Sequence, residues 1–124
     1  MPETETAPDA LPEPRPDEIR LESVLHALAD PVRLRIVTEL AEPGAELNCL
    51  AFDLPVTKST STHHFRVLRE AGVLRQVRRG TSKMNTLRRA DLAQLYPGLL
   101  ESVLAAAADR RPHERAAQDR SPQG

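Results

Sequence analysis

The sequence predicts a mainly α-helical domain that carries one small β-hairpin. Apolar residues recur at helical spacing in several segments between residues 17 and 108, whereas residues 73–87 hold two short extended runs around a glycine. Proline is concentrated at both ends, and such stretches bury too little apolar surface to offset chain entropy. The 124 residues therefore predict one folded domain at 17–110, between a disordered acidic Pro-rich tail at 1–16 and a second disordered tail at 111–124.

The first two helices are predicted on either side of residue 30. Within residues 17–29, four apolar side chains recur at helical spacing: Leu21, Val24, Leu25 and Leu28. Asp30 is a suitable N-cap for the second helix, and Pro31 suits its first turn. One side of that helix gathers Leu34, Val37, Leu40 and Ala41. The dipeptide at 43–44, proline then glycine, ends it.

A helix-turn-helix is predicted between residues 46 and 72. Residues 46–53 form a short helix, and residues 53–57 form the turn after it. Thr57 can cap a longer helix from about Lys58 to Ala71, which ends at Gly72, a residue that suits a C-terminal cap. Two short helices joined by a turn of this length are typical of a helix-turn-helix unit.

A hairpin and a last helical segment complete the predicted domain. The runs Leu74–Arg78 and Ser82–Leu87 flank an Arg-Gly-Thr triplet, which indicates a hairpin with a basic tip. From Arg89 to Ala108 the apolar period is helical again. Pro97–Gly98 must break or kink this segment, because proline removes a helical hydrogen bond.

The net charge of -1 conceals a strong asymmetry. Residues 1–18 carry six acids and one arginine, whereas residues 56–90 carry nine bases and one acid, Glu70. A phosphate backbone responds to the local field rather than to the average charge. The middle of the chain therefore indicates a surface for a polyanion. The acidic tail is either a weak competitor for that surface or a solubilising segment.

The predicted helix at 58–71 has one polar and one apolar side. At about 100° per residue, Phe65 and Leu68 fall on the inner side, with His64 at its edge as a packed, hydrogen-bonded histidine. The outer side gathers residues that can meet phosphates and base edges: Ser59, Thr62, His63, Arg66 and Glu70. Small residues near its start favour a helix that lies deep in a major groove.

The same pattern argues against a metal site and against catalysis. His63 and His64 diverge on the helix, and the i, i+4 histidine pair of an intrahelical zinc site is absent. The sequence has no Gly-rich phosphate loop, and no Ser/His/Asp set is suggested. We therefore expect no catalytic residue, no metal ligand and no cofactor.

Two stretches resemble the ArsR/SmtB family of prokaryotic winged-helix repressors: LADPVRLRIVTEL at 28–40 and KSTSTHHFRVLREAGVLRQVRRG at 58–80. The resemblance covers roughly residues 19–105 and implies a winged helix-turn-helix that dimerises through its first and last helices. It implies double-stranded DNA as the partner and repression at an inverted-repeat operator. It also implies release by a signal, for which an unknown small-molecule inducer is one candidate.

The resemblance carries over two sets of DNA-binding residues. The start of the groove-contacting helix matches Lys58, Ser59, Thr60, Thr62 and His63. The wing tip matches Arg78, Arg79, Gly80 and Thr81. Arg66 is added from its charge and its position on the helix face.

The metal sites of the family do not carry over. Its Cys-x-Cys pair is replaced by ELNCLAF with the lone Cys49, and the last helical segment, residues 89–110, contains no histidine. Cys49 is open to two interpretations, a small buried apolar residue or a redox sensor beside the DNA-reading helix. A non-standard metal site shared across a dimer, using Cys49 with His26 or His113, also remains open.

Two other classes of function compete with DNA binding. A winged-helix protein-interaction module predicts an apolar outer face on residues 58–71, and a small enzyme predicts a converging set of titratable residues. The sequence offers neither. A single cysteine, and the absence of an apolar run long enough to cross a bilayer, indicate a cytoplasmic protein without a membrane partner.

Overall fold

The computed structural model describes residues 10–42, 46–48 and 56–108, and most of both predicted tails lies outside these residues. Five helices are described: α1 (Leu21–Leu28), α2 (Pro31–Leu40), α3 (Lys58–Ala71), α4 (Arg89–Leu95) and α5 (residues 99–108). Three strands, β1 (Leu47–Asn48), β2 (Leu74–Arg79) and β3 (Ser82–Leu87), form an antiparallel sheet in the order β1-β3-β2. The predicted mainly α-helical fold with a small hairpin is confirmed. Among the described residues, no helix has the length and apolar character needed to span a membrane.

The first helix is shorter than predicted. A 3-10 turn at Pro16–Glu18 precedes it, and the chain is extended at Ile19 before α1 begins. Ile19 is buried beside Gly72, so the break brings an apolar side chain into the core. Leu21 and Leu25, expected on the packed stripe, are instead exposed by 41% and 45%. The buried face of α1 consists of Val24, Ala27 and Leu28.

The second helix begins at the predicted cap. The side chain of Asp30 accepts hydrogen bonds from the backbone amides of Val32 (2.9 Å) and Arg33 (3.1 Å). The buried face consists of Arg33, Ile36, Val37 and Leu40. Leu34 and Ala41, which the sequence placed on that face, are only half-buried, because the packed stripe follows the spacing 33, 36, 37 and 40.

The segment 46–53 is not helical where the structure describes it. Leu47–Asn48 form β1, with Leu47 opposite Asn85 and Asn48 opposite Met84 of β3. The Asn85 side chain also donates a hydrogen bond to the Leu47 carbonyl at 3.0 Å. This pairing holds the backbone extended, so the predicted helix is wrong for these two residues. Residues 49–55 lie outside the described residues, and the remainder of that helix stays a prediction.

The hairpin and the broken last helix form as predicted. β2 pairs with β3 from Leu74 opposite Leu87 to Arg79 opposite Ser82, which leaves a two-residue turn at 80–81. Gly80 has φ 64° there, a left-handed conformation that glycine adopts without steric cost. The break at Pro97–Gly98 separates α4 from α5.

An amino arm, residues 10–16, lies against the outer edge of β2. Ala10 forms a β-bridge with Val77, and the Leu11 amide donates to the Gln76 carbonyl at 3.0 Å. Leu11 is only 8% exposed, which gives this Pro-rich segment an apolar anchor. Packing therefore begins before residue 17, the boundary that proline content and charge predicted.

Candidate nucleic-acid interface

Helix α3 is held between both of its predicted caps and exposes a polar face. The Thr57 hydroxyl accepts from the Thr60 amide at 3.2 Å, and Gly72 ends the helix with φ 87°. The buried face consists of His64, Phe65, Leu68 and Ala71. Six predicted contact residues are exposed on the helix: Lys58, Ser59, Thr60, Thr62, His63 and Arg66. The predicted division of the helix into an inner and an outer side is confirmed.

The hydroxyl groups at the start of α3 are oriented by local hydrogen bonds. The Thr57 hydroxyl donates to the Thr60 hydroxyl at 2.9 Å, and the Thr62 hydroxyl donates to the Lys58 carbonyl at 3.0 Å. In these bonds the Thr62 hydroxyl gives its hydrogen and the Thr60 hydroxyl accepts one, so each oxygen keeps a lone pair for an amino group of a base. Ser59 makes only a 3.4 Å contact with Thr57, so its hydroxyl is available to a ligand.

The hairpin forms a wing whose tip is exposed. Its four predicted contact residues all lie on the surface: Arg78, Arg79, Gly80 and Thr81. The guanidinium of Arg79 already has a partner, because its Nη2 lies 3.0 Å from Oε2 of Glu46. Glu46 directly precedes β1, so the pairing of β1 with β3 brings this carboxylate to the wing. Arg78 has no such partner among the described residues.

The fold divides the nine bases of residues 56–90 into two groups. Five have an acceptor within the fold: Arg69 with Gln76, Arg75 with Glu13, Arg79 with Glu46, Arg88 with Asp91, and Arg89 with Ala41. The other four make no ion pair within the described parts of the chain: Lys58, Arg66, Arg78 and Lys83. All four lie on α3 or on the wing. Among the described residues, the bases of this segment that have no acceptor within the fold are therefore confined to these two elements.

The two adjacent histidines have different environments, as predicted. His63 is exposed, whereas His64 is 8% exposed and its Nδ1 lies 3.1 Å from Nη1 of Arg33. Burial lowers the pKa of His64 below its ordinary value of 6.5. Asp30, whose Oδ2 is 3.9 Å from Nδ1, opposes that change, while Arg33 and His63 reinforce it.

The structure brings together no group of three or more His, Cys, Asp or Glu side chains suited to a metal ion within the residues it describes. His26 is exposed on α1, away from any such group. Cys49 and His113 lie outside the described residues. The interpretations of Cys49 as a redox sensor or as part of a shared metal site therefore stay predictions.

Two residues near the interface were missed by sequence reasoning. Arg33 lies three residues before Ile36 on the buried stripe of α2, so a helical wheel could have placed it inside. Glu46 lies before a strand of two residues, which is too short to leave an alternating pattern. Its approach to Arg79 depends on tertiary pairing and had no signal in the sequence.

Comparisons with known proteins agree with this geometry. The model of a helix-turn-helix domain family matches residues 28–77, which include α2 and α3. The uncharacterized HTH-type transcriptional regulator YceK of Bacillus subtilis (strain 168) is 34% identical over 89 residues, which cover 70% of this chain and 88% of that relative.

Two solved structures share the fold. The ArsR family transcriptional regulator RHA00566 has a TM-score of 0.54 at 20% identity, over 72% of this chain and 92% of that one. An ArsR-like transcriptional regulator from Rhodococcus sp. RHA1 has a TM-score of 0.51 at 24% identity, over 84% of this chain and 94% of that one. With the polar face of α3 and the wing beside it, the matches confirm the resemblance. The chain belongs to the HTH-type transcriptional regulators, and its winged helix-turn-helix fold is the one that these ArsR-family structures share.

Proposed function

We propose that the protein binds duplex DNA as a homodimer at an inverted-repeat operator and represses transcription there. The observation that supports this proposal is the distribution of the bases that form no ion pair with a described residue, with Lys58 and Arg66 on α3 and Arg78 and Lys83 on the wing. Such cations bind phosphates, and the exposed Ser59 and His63 beside them offer hydrogen bonds to base edges.

In the proposed complex, the N-terminal half of α3 lies in the major groove and the wing contacts the adjacent backbone or minor groove. A two-fold axis places the second α3 one DNA turn away, about 34–36 Å along the duplex. The operator is then an imperfect inverted repeat. A dimer bound over a promoter excludes polymerase, which accounts for repression without any further activity.

The proposed dimer uses the first and last helices. Leu21 and Leu25 are the large apolar side chains of α1 that the fold leaves exposed. On α5, Val103 and Leu104 are only partly buried against the core. Pairing these surfaces across a two-fold axis removes apolar area from water, which is the main driving force for association.

The proposal is tested by selecting duplexes from a randomised pool with the full chain, followed by gel-shift titration and sedimentation. The expected result is enrichment of an inverted repeat, bound by two chains. Affinity should fall steeply with salt, because phosphate contacts release counterions. A strictly monomeric chain that enriches no sequence would overturn the proposal.

A further inference from the structure

A buried arginine joins three helices beneath the exposed face of α3. Arg33 of α2 is 8% exposed. Its Nε donates to the Ala27 carbonyl at 2.7 Å, and its Nη2 donates to the His26 carbonyl at 3.4 Å, both in the last turn of α1. Its Nη1 lies 3.1 Å from Nδ1 of His64 on α3. One side chain therefore contacts α1 and α3 at once.

We propose that Arg33 and His64 are positioning residues that set the rotation of α3 about its own axis and thereby aim His63 and Ser59 at the DNA. The inference rests on the proposed DNA-binding function. Apolar packing on α3 is non-directional, whereas the guanidinium is planar and holds its N–H groups in fixed directions. Adjacent residues on a helix differ by about 100° in direction, so a fixed His64 also fixes the direction of His63.

This role requires a neutral His64. A guanidinium only donates, so Nδ1 of His64 accepts and its proton is on Nε2. The charged or titratable groups around it are Arg33 at 3.1 Å, Asp30 at 3.9 Å and the His63 ring at 5.8 Å between centroids. A proton on Nδ1 ends the hydrogen bond and places two cations side by side. Specific DNA binding is therefore lost as His64 becomes protonated.

Total affinity for DNA also responds to pH through the charge of the whole surface, so it does not isolate the contribution of His64. Protonation of the buried His64 removes the contact that orients α3 and weakens discrimination among sequences. Sequence discrimination, rather than total affinity, is therefore the quantity to measure.

The experiment compares His64→Asn with His64→Leu. Asparagine places an acceptor oxygen near the position of Nδ1, and leucine fills the space without an acceptor. The probes are the duplex selected by the wild-type chain and a scrambled duplex of equal length. His64→Leu should lose about tenfold or more in the ratio of the two affinities. For His64→Asn, the ratio of the two affinities should stay within about threefold of the wild-type value. In this variant the ratio should no longer fall between pH 7.5 and pH 5.5.

Melting curves of each variant keep folding separate from binding, and His26→Asn, at an exposed histidine of α1, is the matched control. A folded His64→Leu chain with unchanged discrimination overturns the inference. So does an equal loss on both duplexes, which would indicate a purely structural role. If the wild-type chain selects no duplex at all, the proposed function fails. Failure of the inference alone leaves wild-type binding intact.

Discussion

In the proposed complex with DNA, residues of α3 and the wing fall into two groups, those that can contact base edges and those that contact phosphates. Ser59 and His63 carry hydrogen-bonding groups that have no strong partner among the described residues, so they can contact base edges. Arg78 carries an exposed charge, which is attracted to any phosphate. Arg79 is tethered to Glu46, so part of its charge is compensated before DNA arrives.

Replacing His63 and replacing Arg78 should therefore have different consequences for DNA binding. His63→Ala should change the ranking of sequences in a selection experiment, at a cost of about 1–3 kcal/mol for the preferred site. Arg78→Ala should weaken all duplexes alike and reduce the slope of log K against log salt by about 1. Gel-shift titrations at several salt concentrations check both. A His63→Ala chain with unchanged affinity and preference would show that the residue does not read bases.

Folding stability should depend on pH through His64. Because the pKa of His64 is lowered in the fold, the unfolded chain binds a proton at this residue more readily than the folded chain does near pH 6. The stability linked to this residue is present above its ordinary pKa of 6.5 and is lost as the pH falls towards the lower folded value. Urea titrations between pH 7.5 and pH 5.5, where carboxylates stay ionised, should show this decline. His64→Asn should flatten it, and an equal decline in both chains would assign it to other groups.

At the scale of elements, the helices with caps could be predicted and the contacts between distant segments could not. Asp30, Thr57 and Gly72 are chemical markers of helix ends, and each acts where the sequence placed it. The start of α1 was missed, because Ile19 leaves the helix to pack in the core and only tertiary contacts favour that. β1 was missed for the same reason, since two residues carry no period of their own.

For the candidate site, helical geometry alone was enough to predict which side chains of α3 face outward. The six predicted contact residues on α3 are exposed, because the 3.6-residue period fixes which side chains oppose the buried Phe65 and Leu68. The four on the wing are exposed because they lie at the tip of the hairpin. Their role at DNA stays a prediction. The ion pairs that neutralise Arg75 and Arg79 could not be foreseen, because their acidic partners lie 62 and 33 residues away in the chain.

The joint between α3 and β2 should be sensitive to a single methyl group. Gly72 has φ 87°, and a Cβ added there would lie 2.6 Å from Cγ1 of the buried Ile19. Gly72→Ala should therefore lower the free energy of unfolding by about 3 kcal/mol, from backbone strain and overpacking together.

Gly98→Ala is the matched control for that substitution. Gly98 also has positive φ, 82°, but no atom lies within 4 Å of an added Cβ among the described residues. Its replacement should cost only the strain of about 1–2 kcal/mol. Chemical denaturation of both variants measures the difference, and equal losses would show that the contact with Ile19 is relieved by movement.

Across the whole molecule, the acidic amino terminus divides into one segment outside the described residues and one that packs on the domain. Residues 1–9 carry Glu3, Glu5 and Asp9 and lie outside the described residues. The amino arm buries Leu11 and pairs Glu13 with Arg75 at 2.7 Å. A charge effect on DNA binding and a packing effect on stability can therefore be separated by where the chain is cut.

Removal of residues 1–9 should leave the melting temperature unchanged and tighten non-specific DNA binding at low salt, if their acids compete with phosphate. Removal of residues 1–14 should also lower the melting temperature, by about 4 °C or more, because burial of Leu11 is lost. Thermal melts and gel shifts with a scrambled duplex measure the two effects. Unchanged binding after the shorter cut would identify residues 1–9 as a solubilising segment.

The proposed dimer should be broken by one charge on α1. Leu25 is 45% exposed in the single chain, so Leu25→Glu costs little folding stability. In an apolar interface the carboxylate would be desolvated, and the dimer should weaken by about tenfold or more. Sedimentation equilibrium measures this, with Gln94→Glu on the exposed side of α4 as the control. Equal association of the two variants would place the interface elsewhere.

The amino arm also protects the protein against aggregation through an exposed edge strand. An uncovered edge strand presents a row of backbone amide and carbonyl groups with which any extended chain can form hydrogen bonds. The Leu11 amide donates to the Gln76 carbonyl and Ala10 forms a bridge with Val77, so part of the edge of β2 is already paired and cannot pair with a neighbouring molecule. A chain clipped by proteolysis beyond residue 14 would keep its helices and yet offer a template for aggregates.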